Sequence, residues 1–206
     1  MMAAAPSRMA AGLIGLGAST GYRVSELLLI KVGMAFHGGE PASTLCLARR
    51  AMKFGRSASR NRTVYGRTVP LNADAKAAIR LLVGSDPNPH RYLFQSRKGT
   101  NRPIRVHHAI RLIHETARRA AIDPHRVTTH ALRKTFAARL YAMTGHDLDA
   151  VRHALGHRSV ETTRRYLDLD EARVCAAILA MSIREDGPAT TINSPALPFS
   201  PAALPA

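Results

Sequence analysis

The chain has 206 residues, enough for one domain with a sizeable hydrophobic core and too few for two complete domains. It carries 30 Lys and Arg residues against 14 Asp and Glu residues, so its formal net charge is +16. Such a charge favours a polyanionic partner, with nucleic acid ahead of an anionic membrane surface. No run of about 18 apolar residues is present, so the sequence predicts no membrane-spanning helix.

The N-terminal part of the chain is apolar from residue 10 to residue 31. It ends in TGYRVSELLLIK, where four apolar residues have the spacing of a helix with one buried face: Val24, Leu27, Leu28 and Ile30. A GGEP break at 38–41 follows this region. We therefore expect a helical N-terminal segment that packs into the core.

Two strands are predicted next, because two segments flank a loop that is rich in Gly, Ser and Asn. The segments read TLCLARRAMK (44–53) and RTVYGRTVPL (62–71), and the loop between them reads FGRSASRN. A third short strand is predicted at RYLFQS (91–96), before a turn at RKGTNRP. Together these segments predict a small antiparallel sheet.

Several helices are predicted after the first two strands. Asn72 is placed to cap a helix that runs through Leu82, with Gly84 behind it. Two further helices have apolar residues at helical spacing: Val106, Ile110, Ile113 and Ala117 in the first, and Leu132, Phe136, Leu140 and Met143 in the second.

The helical pattern continues toward the C-terminus. Asp147 is expected to cap a short helix through Leu155 that Gly156 stops, and Ser159 to cap the next helix, which would carry Tyr166.

The helical pattern ends near residue 184, and the composition of the chain changes after it. Residues 172–184 have a helical pattern, whereas residues 187–206 contain five prolines and no periodicity, which is typical of a disordered tail. We therefore expect an α+β fold, mostly helical with a small antiparallel sheet, in one domain over residues 1–186.

Four motifs carry residues that suit phosphate chemistry. THALRKTFAARLY places His130 and Arg133 three residues apart, so a helix that starts near them would present both on neighbouring surface. LGHRS contains His157, and RRYLD contains Tyr166. TGYRVSEL supplies Arg23 far upstream.

Together these motifs resemble the catalytic domain of the tyrosine site-specific recombinase (phage integrase) family. The matching segments are TGYRVSELL for the first arginine, RTVPL at the end of the hairpin, HALRKTFA for the His-x-x-Arg motif, LGHRSVETT for the second histidine and RRYLD for the nucleophile. They follow the family's order and spacing over roughly residues 12–170. One such motif occurs often by chance, whereas five in order are specific.

The resemblance implies that Tyr166 attacks a DNA phosphate and forms a 3′-phosphotyrosine, whose rejoining needs neither ATP nor a metal or other cofactor. A phenol with a pKa near ~10 is a poor nucleophile at neutral pH, unless its proton is removed or the developing charge is stabilised. Arg23 and Arg133 would clamp the non-bridging oxygens, because a guanidinium stays charged and donates hydrogen bonds in a planar fork.

Roles for further residues also come from the resemblance. His157 would donate another hydrogen bond to the phosphate, and His130 would relay the phenolic proton as base and return it as acid. Lys53 would protonate the leaving 5′-oxygen, since it lies at the hairpin where the family carries its catalytic lysine. Glu26, three residues after Arg23, would hold that arginine in place.

Two groups of basic residues are predicted to contact DNA away from the scissile phosphate. One group lies in the hairpin loop: Arg56, Arg60 and Arg62. The other leads into a helix whose N-terminus would reach a groove or phosphates: Arg97, Lys98, Arg102, Arg105 and His107. A solvated basic face is an equally good interpretation of any one of them.

Metal and disulfide chemistry are not expected. His153 and His157 lie four residues apart, but Gly156 interrupts the helix between them and no Cys or carboxylate completes a ligand set. Cys46 and Cys175 match neither a zinc spacing nor a disulfide framework. A cytoplasmic, nucleoid-associated protein is therefore predicted.

The family usually carries a separate helical DNA-clamping domain before the catalytic domain, and we expect none here because 22 residues precede Arg23. Either the chain is part of a longer protein, or it grips DNA weakly or with help. The family links protomers through a C-terminal segment, a role that residues 172–184 would fill through Val174, Ile178 and Met181. We expect a monomer that forms a homo-oligomer on double-stranded DNA.

Two other functions remain open at this level. A type IB topoisomerase-like enzyme would use the same chemistry to relax DNA without exchanging partners, although the integrase-like motifs argue against it. A non-catalytic DNA-binding remnant of an integrase is the alternative from another class, and the expected lack of a clamp domain favours it.

Overall fold

The computed structural model describes residues 2–48, 66–98, 101–157, 159–164 and 167. Over these residues the fold is mostly helical with small antiparallel strand pairs, as expected. The helices in chain order are α1 Arg8–Thr20, α2 Val24–Leu27, α3 Val32–Ala35, α4 Ala73–Val83, α5 Val106–Arg119, α6 Ala131–Met143, α7 Leu148–Leu155 and α8 Val160–Arg164. The strands are β1 Phe36–His37, β2 Glu40–Pro41, β3 Thr44–Leu47 and β4 Arg67–Pro70, and 3₁₀ turns form at Met2–Ala4 and Pro124–Arg126.

The predicted hairpin is confirmed where it is described, as β3 paired antiparallel with β4. Leu45 lies opposite Val69 and Leu47 lies opposite Arg67, and all four side chains are on the buried face. Because side chains alternate between the two faces of a strand, Arg67 occupies a core-facing position in the middle of apolar neighbours. An arginine in such a position needs specific partners.

The GGEP segment forms a second, very short hairpin instead of a simple break. β1 pairs with β2, and Gly38 and Gly39 connect them with φ values of 62° and 82°. A two-residue turn with two positive φ angles suits glycine, which has no Cβ to clash in that region.

Two predicted elements are shorter than expected. The RYLFQS segment is not a strand: Tyr92 and Gln95 make isolated bridges to Lys31 and Pro103, so no ladder forms. The helix expected around residues 24–30 is the single turn α2, since the Ile30 carbonyl turns away to accept from the Leu93 N–H at 2.9 Å. At this point, pairing with a distant segment replaces the hydrogen bonds that would continue the helix.

The predicted helix boundaries are confirmed where side-chain caps set them. Asn72 Oδ1 accepts from the Ala75 N–H at 2.9 Å at the start of α4. Asp147 Oδ1 accepts from the N–H groups of Asp149 and Ala150 before α7. Ser159 Oγ accepts from the Glu161 N–H at 3.1 Å before α8.

The buried face expected for α6 is confirmed over most of its length but not at its end. Leu132 is 4% exposed, and Phe136 and Leu140 pack against the core. Met143, at the last position of α6, is 84% exposed. The buried face of the helix therefore ends within its final turn.

The core is built around α1, which packs against α4, α5 and α6. Gly12 and Gly17 make this possible, because a Cβ at either position would overlap Leu82 of α4 or Leu132 of α6. A smaller cluster joins α6 to α7 through Ala137, Val151 and Leu155. The C-terminal end of α1 thus points into the interior, between the hairpin and α6. No described helix is both long and apolar enough to cross a lipid bilayer.

Candidate active site

The candidate site is assembled around the C-terminal end of α1. Gly21 ends this helix in the left-handed conformation, with φ 62°, and a Cβ there would overlap the Phe136 ring. The last carbonyl groups of a helix have no partner within the helix and lie at the negative end of its dipole. The carbonyls of Thr20 and Gly21 are therefore acceptors for buried cations.

Arg133 lies in the first turn of α6 and is 1% exposed. Its Nη1 donates to the Gly21 carbonyl, and its Nη2 donates to the Leu155 carbonyl at 2.7 Å. Leu155 is the last residue of α7, so one guanidinium bridges the C-terminal ends of two helices. These carbonyls offset part of the cost of burying its charge, and they fix the direction of its fork.

His157 follows α7 and Gly156, which adopts the left-handed conformation with φ 66°. Its Nε2 lies 3.0 Å from Arg133 Nη2, and its Nδ1 lies 3.0 Å from Thr163 Oγ1 on α8. Burial, and after it the charges of Arg133, Arg23 and Arg67, together lower the pKa of His157 from its ordinary value to about 4. The imidazole is therefore neutral at physiological pH.

Arg23 is held by Glu26, as the sequence predicts. The Glu26 carboxylate accepts from the Arg23 backbone N–H and from Arg23 Nη1, both at 2.8 Å. Glu26 is completely buried, whereas the Arg23 side chain keeps 26% of its surface exposed. One arginine thus stays partly accessible while a buried carboxylate restricts its motion.

No sequence motif marked Arg67, which lies at the same helix end. Its Nη2 donates to the Thr20 carbonyl at 2.6 Å, and its Nη1 to the Gly21 carbonyl at 3.2 Å. Its Cζ lies 4.6 Å from the centre of the Tyr22 ring, within the range of a cation–π contact. Burial lowers the pKa of Arg67 to about 10. The sequence feature that could have indicated Arg67 is its alternation with Val69, which places both side chains on the buried face of β4.

Tyr22 packs its ring against the Arg67 guanidinium and bonds through its hydroxyl to both strands of the hairpin. Its hydroxyl lies 2.9 Å from the Leu45 carbonyl and 2.7 Å from the Arg67 carbonyl, so it ties the two strands to the end of α1. Burial raises the pKa of Tyr22, which keeps the phenol neutral. The residue directly before Arg23 is therefore fixed by the hairpin.

The structure brings some of the predicted catalytic residues together. Arg133 contacts His157 directly, and Arg23 is near enough to shift the pKa of His157. His130 directly precedes α6 and is exposed, whereas Arg133 is buried. The prediction that both lie on neighbouring surface is therefore wrong for Arg133. Lys53 and Tyr166 lie outside the described residues, so their roles stay predictions.

The predicted DNA-contacting residues also lie partly inside and partly outside the described residues. Five are described, and all five are exposed: Arg97, Lys98, Arg102, Arg105 and His107. Arg56, Arg60 and Arg62 lie outside the described residues, as do residues 172–184 and 187–206.

Backbone hydrogen bonds join the two described ends of the segment before α5. The Ser96 N–H donates to the Arg102 carbonyl at 2.9 Å, and the Ile104 N–H to the Phe94 carbonyl at 2.8 Å. Arg97 is close enough to His108 on α5 to lower its pKa, after the larger effects of burial and of Arg111. Arg97 and Arg111 therefore lie on the same side of the chain as His108 and make its surroundings basic.

In the described part of the chain, no group of three His, Cys, Asp or Glu side chains is arranged to hold a metal ion.

A sequence model of the phage integrase family matches residues 2–173, which include every motif named above. The chain belongs to the phage integrase family. It is 32% identical over 173 residues to tyrosine recombinase XerC of Methylobacterium sp. (strain 4-46), covering 82% of this chain and 48% of that protein. It is 34% identical over 168 residues to tyrosine recombinase XerD of Rhizobium meliloti (strain 1021), covering 79% and 48%. The chain spans about half the length of these relatives.

Solved structures share the fold. The XerA recombinase superposes with a TM-score of 0.62 at 24% identity, covering 86% of this chain and 58% of that chain. The XerH site-specific recombinase bound to a palindromic difH substrate superposes with a TM-score of 0.59 at 24% identity, covering 84% and 45%. The overall fold of this chain is thus the one seen in these recombinase structures.

Proposed function

We propose that this chain cleaves and rejoins DNA strands in site-specific recombination, through a 3′-phosphotyrosine intermediate at Tyr166. The observation that carries the proposal is the Arg133 fork, which is held by two helix ends and by His157 beside the partly exposed Arg23. Arginines fixed in this way suit a transition state whose charge gathers on phosphate oxygens. Membership of the phage integrase family supports the same reaction.

Each proposed step has a candidate residue. The Tyr166 oxygen forms a bond to phosphorus while its proton passes to His130, and the bond from phosphorus to the 5′-oxygen breaks. Lys53 gives a proton to the departing 5′-oxygen, and Arg23 and Arg133 neutralise the non-bridging oxygens. Rejoining reverses these transfers, and the phosphotyrosine conserves the energy of the cut strand without a cofactor.

Double-stranded DNA is the proposed substrate, and the solved XerH complex with its difH substrate supports this choice. The basic surface of the 97–107 segment would contact phosphates beside the cleavage point. Strand exchange needs more than one active site, so we propose a homo-oligomer on DNA, with residues 172–184 linking the copies. Within a cell such binding would place the protein at the nucleoid. Residues 1–186 would form the catalytic domain, and residues 187–206 a tail outside it.

The nucleophile is tested on a pool of nicked suicide duplexes of varied sequence, because a nick next to the cleavage point lets the cut fragment diffuse away and traps the adduct. The wild-type chain should form a protein–DNA adduct that survives denaturation, and Tyr166→Phe should form none while binding DNA equally well. Tyr141→Phe on α6 removes the same hydroxyl elsewhere and serves as the control. An adduct that persists in Tyr166→Phe contradicts the assignment.

The same assay separates the alternatives. DNA binding without any adduct from the wild-type chain would indicate a non-catalytic remnant. An adduct combined with plasmid relaxation, but with no recombinant product, would indicate topoisomerase-like activity. Recombinant products between two duplexes support the proposal, and adduct formation should persist in EDTA.

A further inference from the structure

Arg67 is a buried charge that the proposed reaction does not use. It lies on the inward face of β4 and is 6% exposed. Such a strand position normally carries an apolar side chain, because a cation loses its hydration when it is buried. Burial lowers the pKa of Arg67 to about 10, so the guanidinium is still charged at physiological pH. The protein therefore keeps a charge at a place where an apolar side chain would fill the same space.

The planar fork of Arg67 holds two consecutive carbonyls at the end of α1. Its Nη2 donates to the Thr20 carbonyl at 2.6 Å, and its Nη1 donates to the Gly21 carbonyl at 3.2 Å. The Tyr22 hydroxyl lies 2.7 Å from the Arg67 carbonyl, and the Tyr22 ring lies against the guanidinium. One residue of the hairpin thus contacts all three residues of the segment directly before Arg23.

The Gly21 carbonyl links Arg67 to Arg133. It accepts from Nη1 of each arginine, as a carbonyl oxygen with two lone pairs can. Glycine gives this peptide more conformational freedom than another residue would, and the Arg67 fork restricts it. The other Nη group of Arg133 donates to the Leu155 carbonyl, so the positions of two carbonyls set the direction of the Arg133 fork. Arg67 holds one of these two carbonyls.

We propose that Arg67 is a positioning residue, whose fork fixes the Gly21 carbonyl and through it directs the Arg133 guanidinium toward the scissile phosphate. The inference rests on the proposed function, since it is the phosphate that gives the direction of Arg133 its purpose. Both Nη groups of Arg67 donate to backbone carbonyls and its Nε is buried. Arg67 therefore acts through Arg133 and makes no contact with DNA itself.

A double-mutant cycle tests whether the two arginines act together. Arg67→Met should slow single-turnover cleavage at saturating DNA by about 10- to 100-fold in the otherwise wild-type chain, with DNA affinity unchanged. In an Arg133→Ala background there is no guanidinium left to direct, so the same change should slow cleavage by less than about threefold. Equal factors in the two backgrounds would show that Arg67 acts independently of Arg133 and would overturn the proposal.

Arg67→Lys separates the direction of the fork from its charge. A lysine keeps the positive charge, but its ammonium group lacks the planar fork that spans two carbonyls. Arg67→Lys should therefore also slow cleavage, by about 10-fold or more, and it replaces Arg67→Met in the cycle if the methionine variant does not fold. A wild-type rate in Arg67→Lys would show that charge alone is needed, which contradicts a positioning role.

Val83→Ala is the control for a loss of stability. Val83 is buried in the same core, next to Leu82, which packs over Gly12 in the first half of α1. This variant should be less stable than wild type and should cleave at the wild-type rate at temperatures where it stays folded. A rate that falls as far in Val83→Ala as in the Arg67 variants would show that lost stability, and not position, explains their defect.

The fixation of Arg133 is also measured without DNA, by ¹⁵N NMR of its guanidinium with the signals assigned from an Arg133→Lys variant. The two Nη groups should give separate signals in the wild-type chain, because each is bound to a different carbonyl. In Arg67→Lys they should exchange faster, and unchanged exchange overturns the proposal. If the wild-type chain forms no DNA adduct at all, the proposed function fails, while this measurement still decides whether Arg67 fixes Arg133.

Discussion

The arginines of this protein occupy two contrasting environments. At the end of α1, Arg133 and Arg67 are 1% and 6% exposed, and they donate to backbone carbonyls at helix ends. On the turn before α5, Arg97, Arg102 and Arg105 are exposed to solvent. The same side chain is a fixed donor to carbonyls in the first region and a solvated cation in the second.

The difference lies in how the charge is compensated. A buried cation loses its hydration and needs oriented acceptors, which here are the carbonyls that α1 and α7 leave unpaired at their C-terminal ends. An exposed cation keeps its water and its rotamer freedom, so it contributes long-range attraction to a polyanion without a fixed direction. We infer that the buried arginines govern the rate of reaction and that the exposed ones govern affinity.

The largest expected effect comes from Arg133. Arg133→Ala should slow single-turnover cleavage by about 10²–10³-fold, the range seen when one fixed transition-state donor is removed. DNA affinity should change little, because many other cations share the binding. Arg139→Ala removes an exposed arginine from the same helix and should leave the rate unchanged. Affinity that falls in step with the rate of Arg133→Ala would make Arg133 an ordinary phosphate contact.

The sequence predicted those features of the fold that depend on contacts between residues close together in the chain. Asn72, Asp147 and Ser159 cap helices as expected, since a cap is decided by a side chain and backbone N–H groups two or three residues away. The Arg23–Glu26 pair is also local, because the partners are three positions apart in the chain. Motif order then identified the family without any knowledge of contacts.

Contacts between distant segments could not be predicted in this way. Arg67 bonds to carbonyls 46 and 47 residues earlier in the chain, and backbone carbonyls leave no mark in a sequence. The RYLFQS segment has strand-like composition, but a strand also needs a neighbour, and only isolated bridges are available to Tyr92 and Gln95. The alternation of Arg67 with Val69 on β4 was the one sequence feature that could have indicated a buried arginine.

Arg67 should affect stability more than DNA binding. Arg67→Met keeps much of the side-chain volume but leaves the Thr20 carbonyl without this donor, which should cost about 1–3 kcal/mol of unfolding free energy. Urea denaturation measures the loss. Arg126→Met, at an arginine side chain that is 88% exposed, removes the same charge and should stay within about 0.5 kcal/mol of wild type. Equal losses in the two variants would mean that net charge, and not the α1 terminus, accounts for the effect.

Burial of His157, and after it the nearby arginine charges, should also make stability depend on pH. The pKa of His157 is about 4 in the folded chain, below the ordinary value of 6.5, so the unfolded chain binds more protons between these values. Stability should therefore fall as the pH is lowered, by about 1 kcal/mol between about pH 6 and pH 5 from this group alone. His157→Gln should remove this part of the slope in urea titrations at each pH. A slope unchanged in His157→Gln would mean that other groups produce it.

The smallest single effects are expected on the exposed surface. Arg97→Ala, Arg102→Ala and Arg105→Ala should each weaken binding to duplexes of unrelated sequence by a similar factor, and each should lower the slope of log affinity against log salt by about 1. Arg118→Ala is the matched control, because Arg118 is also exposed on α5 but is at its far end and paired with Glu115 at 3.0 Å.

Comparing these four variants shows whether DNA binding depends on total charge or on the arginines before α5 in particular. A change at Arg118 as large as the others would show that binding follows total charge and that the turn before α5 has no special role. A loss confined to some sequences would show instead that one of the three arginines contacts base edges, because phosphate contacts cannot discriminate between sequences.

With phosphate contacts dominant, this polypeptide by itself should bind DNA with steep salt dependence and little preference among sequences. Tight, salt-resistant preference for one site would show instead that base contacts supply much of the affinity, because phosphate contacts alone give a steep salt dependence.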